Sequence, residues 1–428
     1  MRRFPARRAV LAAAALSLAL LADHGQATAP ELRVGLTWRA DEVSVSADGP
    51  FTITCEGKAV ATGDSGRVFR IQRAGEGLAV LDDAGQTLAT CRPPLRVDAQ
   101  SGLLKCMDCT GEHWDKKRER KYRGYFEVAT AAGGLVLVNV VGMEDYLKGV
   151  VPSEMSASYP AEALKAQAVA SRSAAISMMG RHGASGFDVC DGQHCQVYGG
   201  ATSEHPATDE AVKATEGEVL TYDGQTAKAV YSAVCGGRTE DSASVWRRSE
   251  PYLRGRPDFE GSAVNSPRPG DEDSWREYFR KAPLVNCYQP KYSPLSCFRW
   301  VQVRTRQELE KSLSDVVSVG RLKSLRPLER GASGRISRLE VSGSEGRSVL
   351  GPEQVIRNAL GGLRSSAFVV DSYAGPDGVP VVFIFWGAGW GHGVGMCQVG
   401  AVGLAEKGRT YKDILAWYYP GCELQRTY

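Results

Sequence analysis

Three short stretches of this chain carry residue types suited to chemistry. The first is Val151-Pro152-Ser153-Glu154-Met155, a single carboxylate beside a Pro and among apolar neighbours. Burial of that kind holds a carboxyl group protonated near neutral pH, the state a general acid needs. The second is Gly389-Trp390-Gly391-His392-Gly393-Val394-Gly395-Met396-Cys397-Gln398. A lone His in so Gly-rich a backbone leaves room for a ligand to approach closely. The third is Cys190-Asp191-Gly192-Gln193-His194-Cys195, whose thiols and imidazole match the preference of zinc for S and N ligands. His182 lies a short way upstream and is the favoured third ligand, with His194 as the alternative. A Cys190–Cys195 disulfide is the competing reading in an oxidising compartment.

A single standout acid constrains the reaction. Hydrolysis of a glycosidic bond normally uses two carboxylates. One carboxyl group suffices where the sugar's own hydroxyl attacks, because the same group gives and then takes a proton. Arg172 falls on the apolar face of a predicted helix, so its charge must be paired or must line a cleft. Glu144 and Asp145 sit where a helix start places acids against its dipole, and a structural role is expected of them.

Several motifs in fixed order extend this picture. Asn139 to Glu154, Leu164 to Ala174, Asp188 to Tyr198, Gly236 to Trp246 and Gly389 to Ala401 together resemble the stage II sporulation protein D (SpoIID/LytB) family. The resemblance implies a SpoIID-like mixed core. It implies lytic transglycosylase activity on peptidoglycan glycan strands stripped of stem peptides, cutting between N-acetylmuramic acid and N-acetylglucosamine without adding water. Glu154 takes the place of the family's catalytic acid. Arg172, His392, Gln398 and Arg238 become the expected sugar contacts. The resemblance also implies one structural zinc on Cys190, Cys195 and a His, not required for the chemistry. Part of the family enhances cell-wall amidases, so a non-catalytic glycan-binding enhancer of an N-acetylmuramoyl-L-alanine amidase is the alternative, with that amidase as partner. Cys235 and Cys397 depart from the family pattern in two segments expected beside one cleft, and a disulfide between them follows as an expectation.

The elements that must position these groups can be read in outline. Residues 1–29 read as a signal peptide: Arg2, Arg3, Arg7 and Arg8, an apolar run from Ala9 to Ala22, and Ala27-Thr28-Ala29 as a cleavage site. The run is short of the about 20 residues that span a bilayer, so export to the periplasm or cell surface is expected. That segment has four Arg and one Asp, a net +3, and the whole chain is +3. The remainder is near neutral, which argues against nucleic acid as a partner.

Residues 30–122 alternate in short β-type runs and predict a small β-rich N-terminal module. Residues 123–428 form the expected α+β core, with a strand at 135–141, a short helix at 143–150 that delivers the chain to Pro152, and a helix at about 160–179. The stretch 247–330 shows little periodicity and reads as an inserted or variable lobe. Eleven Cys leave at least one outside a simple pairing. Cys106 with Cys109, Cys55 with Cys91 and Cys287 with Cys297 are spaced as staples.

Overall fold

The computed structural model describes residues 28–107, 119–131, 133–260, 267 and 270–428. The expected signal segment lies outside them, apart from Thr28 and Ala29, as does Cys109. Helices and several separate sheets make a mixed α+β architecture.

The β-rich N-terminal region is present and builds two sheets. One has seven strands in the order Val189–Cys190, Glu31–Ala40, Gly134–Gly142, Tyr125–Ala131, Leu95–Ala99, Phe51–Cys55 and Lys58–Gly63. The other has six, running from Arg120–Tyr122 to Thr87–Cys91. Position 122 is therefore no boundary between sheets. Glu31–Ala40 pairs antiparallel with Gly134–Gly142 and parallel with Val189–Cys190, which ties the first strand to the core.

The strand Gly134–Gly142 shows why the sheet is two-sided. Leu135, Leu137 and Val141 join the main core, while Val136, Val138 and Val140 pack with Phe187 and Cys190 on the opposite face. Successive side chains alternate sides, so a continuous apolar run fits a strand buried on both faces. Asn139 interrupts the run without penalty. Its amide donates to the carbonyl of Arg123 at 2.8 Å and accepts from the Tyr198 hydroxyl at 2.9 Å.

Helix α1 follows directly, over Met143–Glu154. The expected stop before Pro152 does not occur; the helix continues through it. Ser153 Oγ bonds the carbonyl of Gly149 at 2.7 Å, a side-chain bond inside the turn that Pro152 weakens by lacking an N–H. Glu154 thus stands on the last turn of this helix. Helix α2, Ala161–Ser177, packs against α1. Its Ala residues are buried on nearly every side, which lets neighbouring elements approach closely. Met179, inside the expected helix span of about 160–179, lies past the helix end and is 42% exposed.

Residues 299–388 gather around a second core that includes Trp300, Leu309, Leu339, Phe368 and Phe385. They hold two three-stranded sheets. The stretch expected as a lobe over 247–330 thus divides between cores: Tyr252, Leu253, Val285 and Cys287 belong to the main one, and Trp300, Leu309 and Leu322 to this second one. Two pairings close the molecule: Glu218–Tyr222 with Glu423–Arg426, and Tyr231–Ser232 parallel with Met396–Cys397.

Candidate functional site

Glu154 is held from three sides. The Val197 N–H donates to its Oε1 at 2.8 Å. Gln398 donates from Nε2 to the Glu154 backbone carbonyl at 3.3 Å and reaches the carboxyl group as well. The third group is the Tyr231 hydroxyl. Desolvation by the surrounding protein outweighs these bonds and pushes the Glu154 pKa up to about 7. No charged side chain among the described residues contributes to that shift. The group is a neutral acid at slightly acidic pH and a base just above neutrality.

Tyr231 was not singled out from the sequence, where a lone Tyr in a strand reads as core. Its hydroxyl accepts from Gln196 Nε2 at 2.9 Å and lies 3.4 Å from Ser171 Oγ. Gln196 in turn accepts from Tyr146 at 3.1 Å. Gln167 Nε2 donates to Ser171 Oγ at 2.9 Å, and Gln398 Nε2 donates to Gln167 Oε1 at 3.3 Å. The result is a closed polar network from five separate stretches of chain around one carboxyl group. Such a network fixes geometry when its members are satisfied. The signal available in the sequence was Gln196, inside the Cys195-Gln196-Val197-Tyr198 run.

His392 joins this region through the same strand. The Val394 N–H donates to its Nδ1 at 3.0 Å, and the ring also bonds the Tyr231 backbone. Burial, with Arg335 and Arg357 nearby, pushes its pKa down to about 3, so the ring is neutral. Backbone groups engage the ring, which packs tilted against Trp246 with centroids 5.0 Å apart. Trp246 and Trp390 are 47% and 39% exposed, unusual for indoles of this size. Gly393 and Gly395 have positive φ, and a Cβ on Gly395 would stand 2.0 Å from the Val230 carbonyl oxygen. The Gly-rich loop thus serves close packing on the strand beneath it as much as access from outside. Arg335, also missed, clamps the loop: its Nε donates to Gly391 O at 3.0 Å and its Nη1 to Cys235 O at 3.2 Å.

Two expected sugar contacts are placed elsewhere. Arg172 is fully buried and paired with Glu144, at 2.8 Å from Nε to Oε1 and 2.6 Å from Nη2 to Oε2. It also donates to Glu218 O and Val212 O. Its charge is satisfied by a structural ion pair, so it does not line a cleft. Arg238 donates from Nε to the Ala332 carbonyl at 2.9 Å and fastens the loop before Ile336. Of the expected set, only Gln398 touches Glu154.

The cysteines cluster differently from the expected pairs. Cys190, Cys195, His182 and His194 each offer one ligand atom, all within 4.8 Å of one another. Cys195 Sγ lies 3.4 Å from His182 Nε2, and Cys190 Sγ lies 3.9 Å from His194 Nδ1. Both His therefore reach the thiols, where the sequence favoured one. Two thiols and two imidazoles form a donor set that suits zinc. Val197, which holds Glu154, is two residues beyond Cys195.

The bridges expected at Cys235–Cys397, Cys287–Cys297 and Cys55–Cys91 are not formed, and all six carry free thiols. Cys397 Sγ instead accepts from the N–H groups of Cys235 and Gly400, at 3.1 and 3.3 Å. Cys235 Sγ faces Cys287 Sγ at 3.6 Å. Cys297 lies against Arg364. Cys106 is disulfide-bonded.

Comparison with known proteins agrees with the motifs. A family model described as Stage II sporulation protein matches residues 131–222, and one described as Domain of unknown function (DUF8618) matches residues 240–395. Stage II sporulation protein D of Bacillus subtilis (strain 168) is 31% identical over 303 residues, covering 67% of this chain and 75% of that protein. An uncharacterized protein of Brachyspira hyodysenteriae is 31% identical over 291 residues, 68% of each chain. The Amidase enhancer of Bacillus subtilis is 31% identical over 297 residues, 65% of this chain but 40% of that longer protein. The motif order, the family match and the coverage of these relatives place this chain in the SpoIID family.

Proposed function

We propose that this protein acts on the cell wall as a lytic transglycosylase, with Glu154 as its acid and then its base. The observation that supports this reading most is the raised pKa of Glu154 inside an uncharged hydrogen-bonded network. In the reaction, the bond between C1 of N-acetylmuramic acid and the O4 of N-acetylglucosamine breaks. Glu154 gives its proton to that departing oxygen. The 6-hydroxyl of the same muramic acid then attacks C1, and its proton returns to Glu154. The product carries a 1,6-anhydro ring, no water is consumed, and the acid is regenerated.

Tyr231 and Gln398 keep the carboxyl group oriented, and the exposed faces of Trp246 and Trp390 suit the apolar face of a sugar ring. A metal held by Cys190, Cys195, His182 and His194 would brace the wall that carries Val197 and takes no part in the chemistry. Action on the wall requires export. Residues 1–27 lie outside the described residues, and no described helix is long and apolar enough to cross a membrane.

Relatedness to a protein named Amidase enhancer favours a second reading, in which the chain binds glycan and stimulates a partner amidase. Mass spectrometry of soluble products from purified glycan strands without stem peptides separates the two. Wild type is expected to release anhydro-muramic products, and Glu154→Gln none. Reducing-end products would mean hydrolysis. Binding without products from either protein would favour the enhancer.

A further inference from the structure

We propose that Cys235, Asp258, Cys287 and Cys397 form a second, fully enclosed metal site that takes a zinc-like divalent cation. The four side chains come from four separate stretches of chain, yet one ligand atom from each lies within 4.8 Å of all the others. All four residues are at most 2% exposed. Cys235 Sγ lies 3.6 Å from Cys287 Sγ and 3.4 Å from Asp258 Oδ2. A tetrahedral zinc with bonds of about 2.3 Å to sulfur and about 2.0–2.2 Å to oxygen spaces its ligand atoms roughly 3.4–3.8 Å apart. One disulfide would use two of the three thiols and leave the third beside a carboxyl group in a dry core. One divalent cation uses all four groups.

The surroundings are those of a metal site. Cys397 Sγ accepts from two backbone N–H groups, and one of them, Gly400, belongs to the first turn of helix Gln398–Glu406, which Cys397 caps. A thiolate is favoured there. Asp258 is oriented on both oxygens: Oδ1 accepts from Tyr418 at 2.6 Å and from Asn286 at 3.5 Å, and Oδ2 accepts from the Cys287 N–H at 3.0 Å. Such partners orient ligands and tune their basicity. Three thiolates and a carboxylate around a divalent cation leave a net charge of about −2, which needs an offset in a dry core. Arg335 and Arg299 are both near enough to interact electrostatically with Cys235, and Arg299 with Cys287. Each keeps one buried terminal nitrogen without a hydrogen-bond partner among the described residues.

The site's place gives it a purpose. Cys235 precedes the Gly236-Gly237 turn, and Cys397 precedes Gln398, which reaches Glu154. A metal here would lock the C-terminal Gly-rich segment to the strand Tyr231–Ser232.

The test is zinc stoichiometry, read by elemental mass spectrometry on the full chain produced with zinc in the medium and kept reduced. Wild type is compared with Cys190→Ser/Cys195→Ser, which disables the other cluster. The second site predicts that this double variant still holds about one zinc per chain. Replacing zinc by cobalt in the double variant should then give sulfur-to-cobalt charge-transfer absorption, which Cys287→Ser on that background weakens. If the double variant fails to fold, wild type decides: two equivalents support the site, and one or none overturns it. A folded double variant without metal, or a disulfide between any two of Cys235, Cys287 and Cys397 in the reduced preparation, also overturns it.

Discussion

Replacing Glu154 by Gln removes a titration that the fold makes costly. Burial raises this carboxyl group from an ordinary 4.5 to about 7. The folded state therefore holds the proton more tightly than the unfolded chain does. The stability this contributes is complete below pH 4.5 and is lost as pH rises through 7. At 1.36 kcal/mol per unit the loss is about 3 kcal/mol, an upper bound because the residue as a whole is only half-buried. Gln keeps an oxygen for the Val197 N–H and never ionises. The variant should match wild type at pH 4.5 and become more stable as pH rises, with the gap opening up to pH 7 and constant above. For a chain of this size, an entropy of unfolding of about 2 cal/mol/K per residue converts that gap to about 3–4 °C in Tm. Thermal melts of both proteins from pH 4 to 9 measure it directly. Cleavage should fall at least about 100-fold in the variant. A stability gap that does not change with pH, or anhydro products released by Glu154→Gln at close to the wild-type rate, would refute the reasoning.

Three further outcomes follow from the same geometry. Arg172→Met should lower stability by about 3–5 kcal/mol in denaturant unfolding, because it strands Glu144, whereas a sugar-contact role would lower glycan affinity instead. Trp246→Ala should weaken glycan binding several-fold in a sedimentation assay without moving the melting temperature by more than a degree or two, since nearly half of the residue is exposed. Cys195→Ser should lower bound zinc by about one equivalent and lower the Tm, and it should slow cleavage through the neighbouring Val197, with the pH profile of the remaining activity shifted.

What the sequence made legible was local. Glu154 stood out because its apolar neighbours and nearby Pro152 are contiguous, and the strand Gly134–Gly142 because only Asn139 interrupts its apolar run. Partnerships across the chain were hidden. Arg172 read as a charge that had to be paired or to line a cleft, and its partner stayed hidden because Glu144 lies on a different helix, 28 residues earlier. Cys287 and Cys297 looked like a pair because they are close in sequence, but packing turned Cys287 toward Cys235 instead. Tyr231 resembled any strand aromatic until its hydroxyl was seen against the carboxyl group. The N-terminal region looked detachable because alternation shows that a strand exists and not which strand it joins.

The parallel pairing of Tyr231–Ser232 with Met396–Cys397 has a bearing on when this protein becomes competent. Polypeptides are made from the N terminus onward, and early regions fold first. Glu154 emerges early, Tyr231 follows much later, and Gln398 later still. Tyr428 comes after all three, and its hydroxyl bonds Glu144, the partner of Arg172. A stalled or prematurely terminated product would carry the acid with neither the phenol nor the amide that holds it. The raised-pKa carboxyl group thus depends on chain made long after Glu154 itself, and a fragment that stops short of Tyr231 lacks the Tyr231 and Gln398 contacts that hold it.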